Sequence, residues 1–433
     1  MPASSEFQGG GLLNISMKYR KIRGCEDILP PDVEAWQELE TKAVEVLTQF
    51  GYCQIRTPIL EPLELFQRSI GESTDIVEKE IFSFKDKKGR NICLRPEATA
   101  SIARAYVENN LYQLPGIKKF YYFGPMFRAE RPQKGRKRQF HQIGVEAIGS
   151  YSPVIDAEII YLCQRLIQIL GISKFRLEIN SLGCAKDKKR ISDYIRTKIK
   201  NNLSKFCPQC QRRFSRNVLR ILDCKNLQCI TAIRDLKIDI GSQICQDCHQ
   251  HYLEVKDYLK ALGVKFIENN YLVRGLDYYT RTVFEIVSDK LGAQNAIGAG
   301  GRYDDLIQEI GGPPQGAVGF ALGMERILIL RNKLSQIKYQ PTVFVAVQDN
   351  TLLKAAVVEV MNLRENGISA EMDYQQRSLK SQMRLANEKG VKYVLILGTE
   401  EIQKGQYSLK QMDTGIQRRI KREDLIKVLK EEA

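Results

Sequence analysis

The sequence predicts an α+β chain, on three observations. Residues 118 to 149 read as two strands joined by a basic loop, a long antiparallel hairpin. Amphipathic helical stretches near 33–50, 154–170 and 186–203 stand on either side of it in the chain. Beyond Pro341, short apolar strands alternate with helical segments, the pattern of a separate small α/β domain. A length of 433 residues with 43% hydrophobic content suits two or three cores better than one.

The elements follow in order. The opening MPASSEFQGGGLLNIS lacks the basic start and apolar run of a secretory signal, so residues 1–16 are expected as a flexible extension, with Met17 an alternative start. From Val33 the apolar residues Val33, Trp36, Leu39, Ala43, Val46, Leu47 and Phe50 keep helical spacing, and Gly51 stops the helix. YCQIRTPILEP is short and β-branched, but Pro58 and Pro62 confine it to an edge strand or a strand at an interface. In the second hairpin strand Ile143, Val145 and Ala147 point one way. Gln142, Gly144 and Glu146 point the other, two polar side chains separated by a gap. One face is core and the other resembles a site.

Residues 204 to 250 are rich in cysteine and lie between sheet-like blocks, which marks an inserted subdomain. A strand at 282–287, the glycine cluster GAGGRYDDL, and GAVGFALGMERILIL, a strand turning through glycine into a helix, complete the first domain, 17–330. Residues 331–341 are polar and end in Pro341, a linker to the second domain at 342–433. No repeat with a period of 20 to 50 residues occurs.

Lys and Arg number 66 against 51 Asp and Glu, a net charge of +15 that favours a polyanionic partner such as RNA or a nucleotide. No run of about 18 apolar residues is present, so the chain is expected in the cytoplasm with no membrane partner. GAGGRYDD fits neither the Rossmann nor the Walker glycine pattern, and its glycines suit a backbone passing close beneath a pocket.

The hairpin loop carries Arg128, Arg131, Lys134, Arg136, Lys137 and Arg138 against the one acid Glu130. Such a tip is suited to phosphates, which arginine grips with two donors. By itself it is equally a solvated charged hairpin. The polar face of Gln142 and Glu146 beside it favours the site.

FGPMFRAERPQKGRKRQFHQIGVEAIG resembles the second signature motif of the class II aminoacyl-tRNA synthetases in its histidine-specific form. LVRGLDYYTRTVFE and GAGGRYDDL resemble the two histidine-specific signatures, and GFALGMERILIL the third class-wide motif. With RGCEDILPP and LRPEAT, the matches span nearly all of the chain after Met17, so it resembles the histidyl-tRNA synthetase family of bacterial type. The resemblance implies an antiparallel catalytic sheet flanked by helices, a mainly helical insertion, a C-terminal anticodon-binding domain and a homodimer. It also implies an enzyme that activates L-histidine with ATP and Mg2+ and then charges tRNA(His).

The same resemblance assigns roles. Arg128 and Arg274 are the catalytic residues, flanking the α-phosphate of ATP from two sides, while Glu130, Arg136 and Arg326 hold the rest of the nucleotide. Glu97 and Thr99 take the ammonium group of histidine, and Gln142, Glu146, Arg274, Tyr278, Tyr279 and Tyr303 complete its pocket. Imidazole presents two nitrogens, so a carboxylate and hydroxyls at its edges can discriminate it. Gln133 and Arg138 match positions used at the tRNA acceptor end, and Gln375, Gln376, Arg377 and Lys380 could meet anticodon bases. Outside the match, Tyr278 and Tyr279 would read as core aromatics and Arg326 as a surface residue.

Eleven cysteines without a signal peptide do not suggest a disulfide framework. Cys207, Cys210, Cys245 and Cys248 have the paired spacing of one structural Zn2+ site, with Cys224, Cys229, His249 and His251 nearby; the other reading is reduced, buried thiols. Two further functions compete with the synthetase. A catalytically inactive histidine-binding regulatory subunit of ATP phosphoribosyltransferase shares the core, but generally lacks the last domain and key arginines that are present here. A zinc or redox protein would explain only the insertion.

Overall fold

A computed structural model describes residues 19–71, 74, 76–133, 135–292, 295–331 and 340–431. The expected extension 1–16, Met17, Lys134 and most of the 331–341 linker lie outside the described residues. The chain divides into two compact units, Met1–Gln336 and Ile337–Ala433.

In the first unit, α1 (Asp32–Gln49) buries Ala35, Leu39, Ala43, Val46 and Leu47, one stripe of its 3.6-residue repeat. The proline-containing stretch after it is not one edge strand. It splits into β1 (Cys53–Gln54), at the edge of the main sheet, and β2 (Leu60–Pro62), which opens a small second sheet. Pro58, lacking an N–H, stands at the break. Next come α2 (Leu63–Ile70), β3 (Ser83–Lys85) and β4 (Asn91–Leu94), and the small sheet runs β2-β4-β3.

α3 (Thr99–Glu108) leads to the expected hairpin, β5 (Lys118–Phe127) and β6 (Gln139–Ile148), ten residues each and antiparallel throughout. α4 (Pro153–Ile169) starts where Ser152 caps the Val154 N–H at 3.3 Å and Pro153 supplies a preset φ. β7 (Arg176–Ser181) and α5 (Ala185–Lys200) precede the insertion, which holds α6 (Pro208–Arg216) and α7 (Leu227–Asp235). α8 (Gln246–Ala261) runs unbroken past residue 250, the expected end of the insertion, because Tyr252, Val255 and Leu259 continue its apolar stripe into the main core. β8 (Ile267–Glu268), β9 (Thr280–Val287), β10 (Ala296–Arg302), α9 (Leu306–Glu309), β11 (Ala317–Gly323) and α10 (Met324–Leu330) complete the unit.

The eight-stranded sheet has the order β1-β5-β6-β11-β10-β9-β7-β8 and is antiparallel except at its two outermost pairs. Ile143 and Val145 of β6 join one core with α1, α4 and α8. Tyr122 and Met126 of β5 join another with α3, α5 and the insertion. The site face is this second side.

Behind the sheet lies a buried ion network. Arg302 is fully buried, donating to Asp156 (2.7 Å), Asp304 (2.6 Å) and the Ser150 carbonyl (2.8 Å). Asp156 also meets His251 Nε2 at 2.8 Å, and Arg281 donates to His251 Nδ1 at 3.1 Å. A five-fold donor such as guanidinium is tolerated there because its fork is met by fixed acceptors. The arginine of GAGGRYDD is therefore a structural tie between β10 and α4.

The second unit contains β12 (Val343–Val347), α11 (Leu353–Glu365), β13 (Ala370–Met372), α12 (Leu379–Lys389), β14 (Tyr393–Leu397), α13 (Thr399–Gln403), β15 (Gln406–Gln411), β16 (Gln417–Lys421) and α14 (Leu425–Glu431). Its sheet, β13-β12-β14-β15-β16, is parallel over the first three strands and antiparallel over the last two. β12 and β14 are buried on both faces, as their unbroken apolar runs require. Helices α13 and α14 were not evident in the sequence, since five and seven residues are too few for a periodic signal.

Candidate active site

A cavity of about 810 Å³ opens on the second side of the sheet. It brings together Glu97, Thr99, Arg128, Glu130, Arg136, Gln142, Glu146, Arg274, Tyr278, Tyr279, Tyr303 and Arg326, drawn from positions far apart in sequence. Gln133 and Arg138 do not line it. Gln133 exchanges two backbone hydrogen bonds with Arg136 at the hairpin tip, and Arg138 packs by Gly24.

One end is cationic. Arg128 closes the hairpin through its backbone N–H to the Arg138 carbonyl (2.8 Å). Its Nε donates to the Pro96 carbonyl at 3.0 Å, and the guanidinium lies 5.3 Å from the Phe140 ring centre. Arg136 pairs with Glu130 at 2.6 Å. Arg326, from the first turn of α10, donates to the Gly135 carbonyl at 3.1 Å and to that of Ala296. Burial and the charge of Arg136 push the Arg326 pKa down, so an incoming anion would relieve it. Arg274 sits in the loop before β9 and donates to Glu285 at 2.6 Å. Burial opposes its charge, but Glu285 and Tyr279 outweigh that, and its pKa is raised.

The other end is acidic and phenolic. Glu97 accepts the Thr99 N–H (2.6 Å) and the Ala100 N–H (3.0 Å), binding the start of α3, and each oxygen keeps a second lone pair. Burial raises its pKa against those hydrogen bonds and the Arg128 charge. Glu146 accepts from the Thr99 hydroxyl at 2.7 Å and from the Tyr303 hydroxyl. Burial pushes the Glu146 carboxyl up to about 8, while those two donors oppose the shift. The Tyr278 ring centre lies 4.7 Å from that of Tyr279 and 5.8 Å from that of Tyr303.

Two glycines make this arrangement possible. Register places Gly144 opposite Tyr122 on β5 and Gly319 opposite Glu146 on β11. A methyl on Gly144 would overlap the Tyr122 ring, and one on Gly319 would overlap the Glu146 carboxylate. The gap seen between Gln142 and Glu146 in the sequence is therefore filled by an aromatic ring. Gln142 Oε1 and Arg274 Nε are buried without a hydrogen-bond partner among the described residues, a cost that a ligand with matching groups would remove.

Several wall residues were missed by sequence reasoning. Tyr122 had a signal, an aromatic facing glycine across the hairpin. Glu285 had none, because its partner Arg274 reaches it only through the turn before β9. Arg213, Arg220 and Asp223 come from the insertion, which contributes a wall of the cavity. Asn217 donates to Asp277 at 2.9 Å and Arg216 pairs with Glu78 at 2.6 Å, fastening the insertion beside the Arg274 loop. In the second unit, Gln375, Gln376 and Lys380 are exposed, and the backbone N–H of Arg377 is held by Asp373 at 2.6 Å.

The expected quartet Cys207, Cys210, Cys245 and Cys248 does not form. Cys207 and Cys210 gather with Cys224 and Cys229, whereas Cys245 and Cys248 gather with Cys184 and Asp187. The pairs begin different helices, α6 and α8, so equal spacing in sequence did not mean proximity. His251 is bound to Asp156, and His249 is exposed.

Comparison with known proteins agrees with this geometry. The family described as "Histidyl-tRNA synthetase" matches residues 24–327, and "Anticodon binding domain" matches 342–432. A histidine–tRNA ligase of Thermodesulfovibrio yellowstonii is 46% identical over 415 residues, 96% of this chain and 99% of that protein. One of Desulforamulus reducens is also 46% identical, over 419 residues, with the same coverage. A crystal structure of apo S. aureus histidyl-tRNA synthetase is 34% identical, with a TM-score of 0.79, covering 95% of this chain and all of that one. The chain belongs to the histidyl-tRNA synthetase family.

Proposed function

We propose that the protein is a histidine–tRNA ligase, which joins L-histidine to ATP as histidyl-adenylate and then transfers it to the 3′ end of tRNA(His). The observation that carries this reading is one cavity with arginines at one end and a carboxylate–tyrosine pocket at the other. Nucleotide phosphates suit the first end, where Arg128, Glu130, Arg136 and Arg326 hold ATP. Histidine suits the second: Glu97 and Thr99 take its ammonium group, while Gln142, Glu146, Tyr278, Tyr279 and Tyr303 surround its side chain. Arg274, which bonds Glu285 and is also close enough to Tyr279 for its charge to be felt there, is the group assigned to the histidine carboxylate and the α-phosphate.

In activation, a histidine carboxylate oxygen forms a bond to the α-phosphorus as the bond to pyrophosphate breaks. Charge accumulates on the phosphoryl oxygens, so the chain needs no nucleophile of its own. Arg128 and Arg274 supply alignment and preorganised positive charge. In transfer, a hydroxyl of the terminal tRNA ribose attacks the histidyl carbonyl and AMP departs. Mg2+ would accompany ATP and offset the negative charge of its phosphates, and the cavity carboxylates Glu130 and Glu285, each paired here with an arginine, are the groups that would take part in holding it.

Several partner contacts extend the reading. Gln133 and Arg138 at the hairpin tip take the acceptor end, and the exposed Gln375, Gln376 and Lys380, with Arg377, take anticodon bases. A homodimer is favoured by the apolar side chains left exposed at Ile59, Leu60, Leu114 and Ile117 and by the open edge of the main sheet at β1. Among the described residues no helix is long and apolar enough to cross a membrane. The regulatory-subunit reading is disfavoured because Arg128, Arg274 and Arg326 all line the cavity.

The test is histidine-dependent exchange of pyrophosphate into ATP. The parent chain is expected to catalyse it, and Arg274→Ala should lower kcat by about 100-fold or more with a far smaller change in KM for histidine. No exchange by the parent, or normal turnover by the variant, would overturn the enzyme reading or the role of Arg274 respectively.

A further inference from the structure

Two compact sets of metal-ligating groups lie in and beside the insertion: Cys207, Cys210, Cys224 and Cys229, and Cys184, Asp187, Cys245 and Cys248. Within each set the candidate ligand atoms all lie within 4.8 Å of one another. Four thiolates about zinc, at bonds of about 2.3 Å, stand about 3.8 Å apart by tetrahedral geometry. The Cys207 and Cys224 sulfurs are 3.9 Å apart. That is nearly twice a disulfide bond, and all eleven cysteines are free. We propose that the chain holds two structural zinc ions, one in a four-cysteine site that stiffens a wall of the catalytic cavity and one in a three-cysteine, one-aspartate site at the insertion's base.

The placement of the ligands on helices supports the assignment. Cys207 caps α6 and Cys210 is its third residue; Cys245 and Cys248 stand in the same positions on α8, and Cys184 and Asp187 on α5. Cys229 is the third residue of α7. The N-terminal end of a helix carries partial positive charge that favours thiolate over thiol, the form a metal requires. The Cys207 N–H donates to the Cys229 sulfur at 3.2 Å, an outer-shell bond of the kind that orients a ligand.

Asp187 distinguishes the second set from buried thiols acting as apolar filler. Its carboxylate is fully buried among three sulfurs, with one oxygen bonded to Arg190 and the other accepting the Cys184 N–H at 3.2 Å. It closes a capping box with Cys184 at the start of α5, and Arg190 meets its charge; the lone pairs left over, beside three sulfurs, are those a divalent cation would use. Within these helices the cysteines are anchoring groups: α6 buries Cys210 alone, and α7 buries Cys229 with Ala232 and Ile233. Cys207 and Cys224 also reach the cavity wall beside Arg213 and Asp223, so the first ion fixes the insertion where it faces the Arg274 loop.

The experiment is metal analysis of the full chain purified under reducing conditions. About two zinc ions per chain are expected, and about one in each of Cys210→Ser and Cys248→Ser. Under native conditions the four thiols of one set and the three of the other should resist a chromogenic thiol reagent until a chelator is added. If a serine variant does not fold, cobalt titration of the metal-stripped parent replaces it, with tetrahedral cobalt–thiolate absorption saturating at about two equivalents. A parent chain that takes up neither metal, with those thiols reactive from the start, overturns the proposal. One ion per chain overturns the set whose variant still retains it.

Discussion

Glu146 stands between the Thr99 and Tyr303 hydroxyls with its charge opposed by burial, so in the unliganded chain it holds a proton well above the ordinary carboxylate range. The sign of the consequence follows from linkage. The folded pKa of about 8 exceeds the reference 4.5, so the folded chain keeps a proton that the unfolded chain releases between those values. The stability tied to that proton is fully present below the lower value and is lost as pH rises through the upper one. One proton accounts for at most about 1.4 kcal/mol per pH unit. Denaturation of the unliganded chain across that range should show the fall, and Glu146→Gln should flatten it. The variant should also raise KM for histidine by about 100-fold, since an amide can no longer offer imidazole a carboxylate. An unchanged pH slope would remove Glu146 from this role.

At the scale of elements, β6 and its two neighbours decide the pocket. Glu146 can lie flat against β11 only because Gly319 has no side chain, and the overlap a methyl would create is with that carboxylate and the backbone of β6. Gly319→Ala should therefore cost about 1–3 kcal/mol in stability. It should also raise KM for histidine by about ten-fold while sparing KM for ATP. Measured stability and the two KM values check this; equal effects on both substrates would show general distortion instead of a local one. The hairpin itself was legible, because β5 is rich in aromatics, residues 142–147 of β6 alternate and the loop is strongly charged. The split of residues 52–62 into strands of two different sheets was not, because Pro58 signals only a break and does not say which sheet each half joins.

At the scale of the molecule, among the described residues, the first unit carries the catalytic cavity and three cores, and the second closes two cores of its own around a five-stranded sheet. A chain ending at Arg331 should retain histidine-dependent pyrophosphate exchange. Its charging of tRNA should fall by about 100-fold, the order of the effective concentration that a tethered second contact supplies. Comparing the two assays on one preparation separates these activities, and loss of exchange alongside charging would show that the first unit depends on the second for folding.

The sequence by itself determined the local chemistry: the hairpin, the helices long enough to repeat their apolar stripe, the polar face of β6, and the cationic loop. Family resemblance then named the arginines and tyrosines that converge, although no local pattern brings Arg274 from its loop to Arg128. Only the tertiary structure decided three things: that Arg302 is a buried tie, that the insertion forms a wall of the cavity, and that the cysteine pairs belong to separate clusters. The reason is physical. Periodicity and capping act over a few residues, whereas a buried ion pair or a metal tetrahedron is set by how distant segments pack, and spacing along the chain carries no record of that distance.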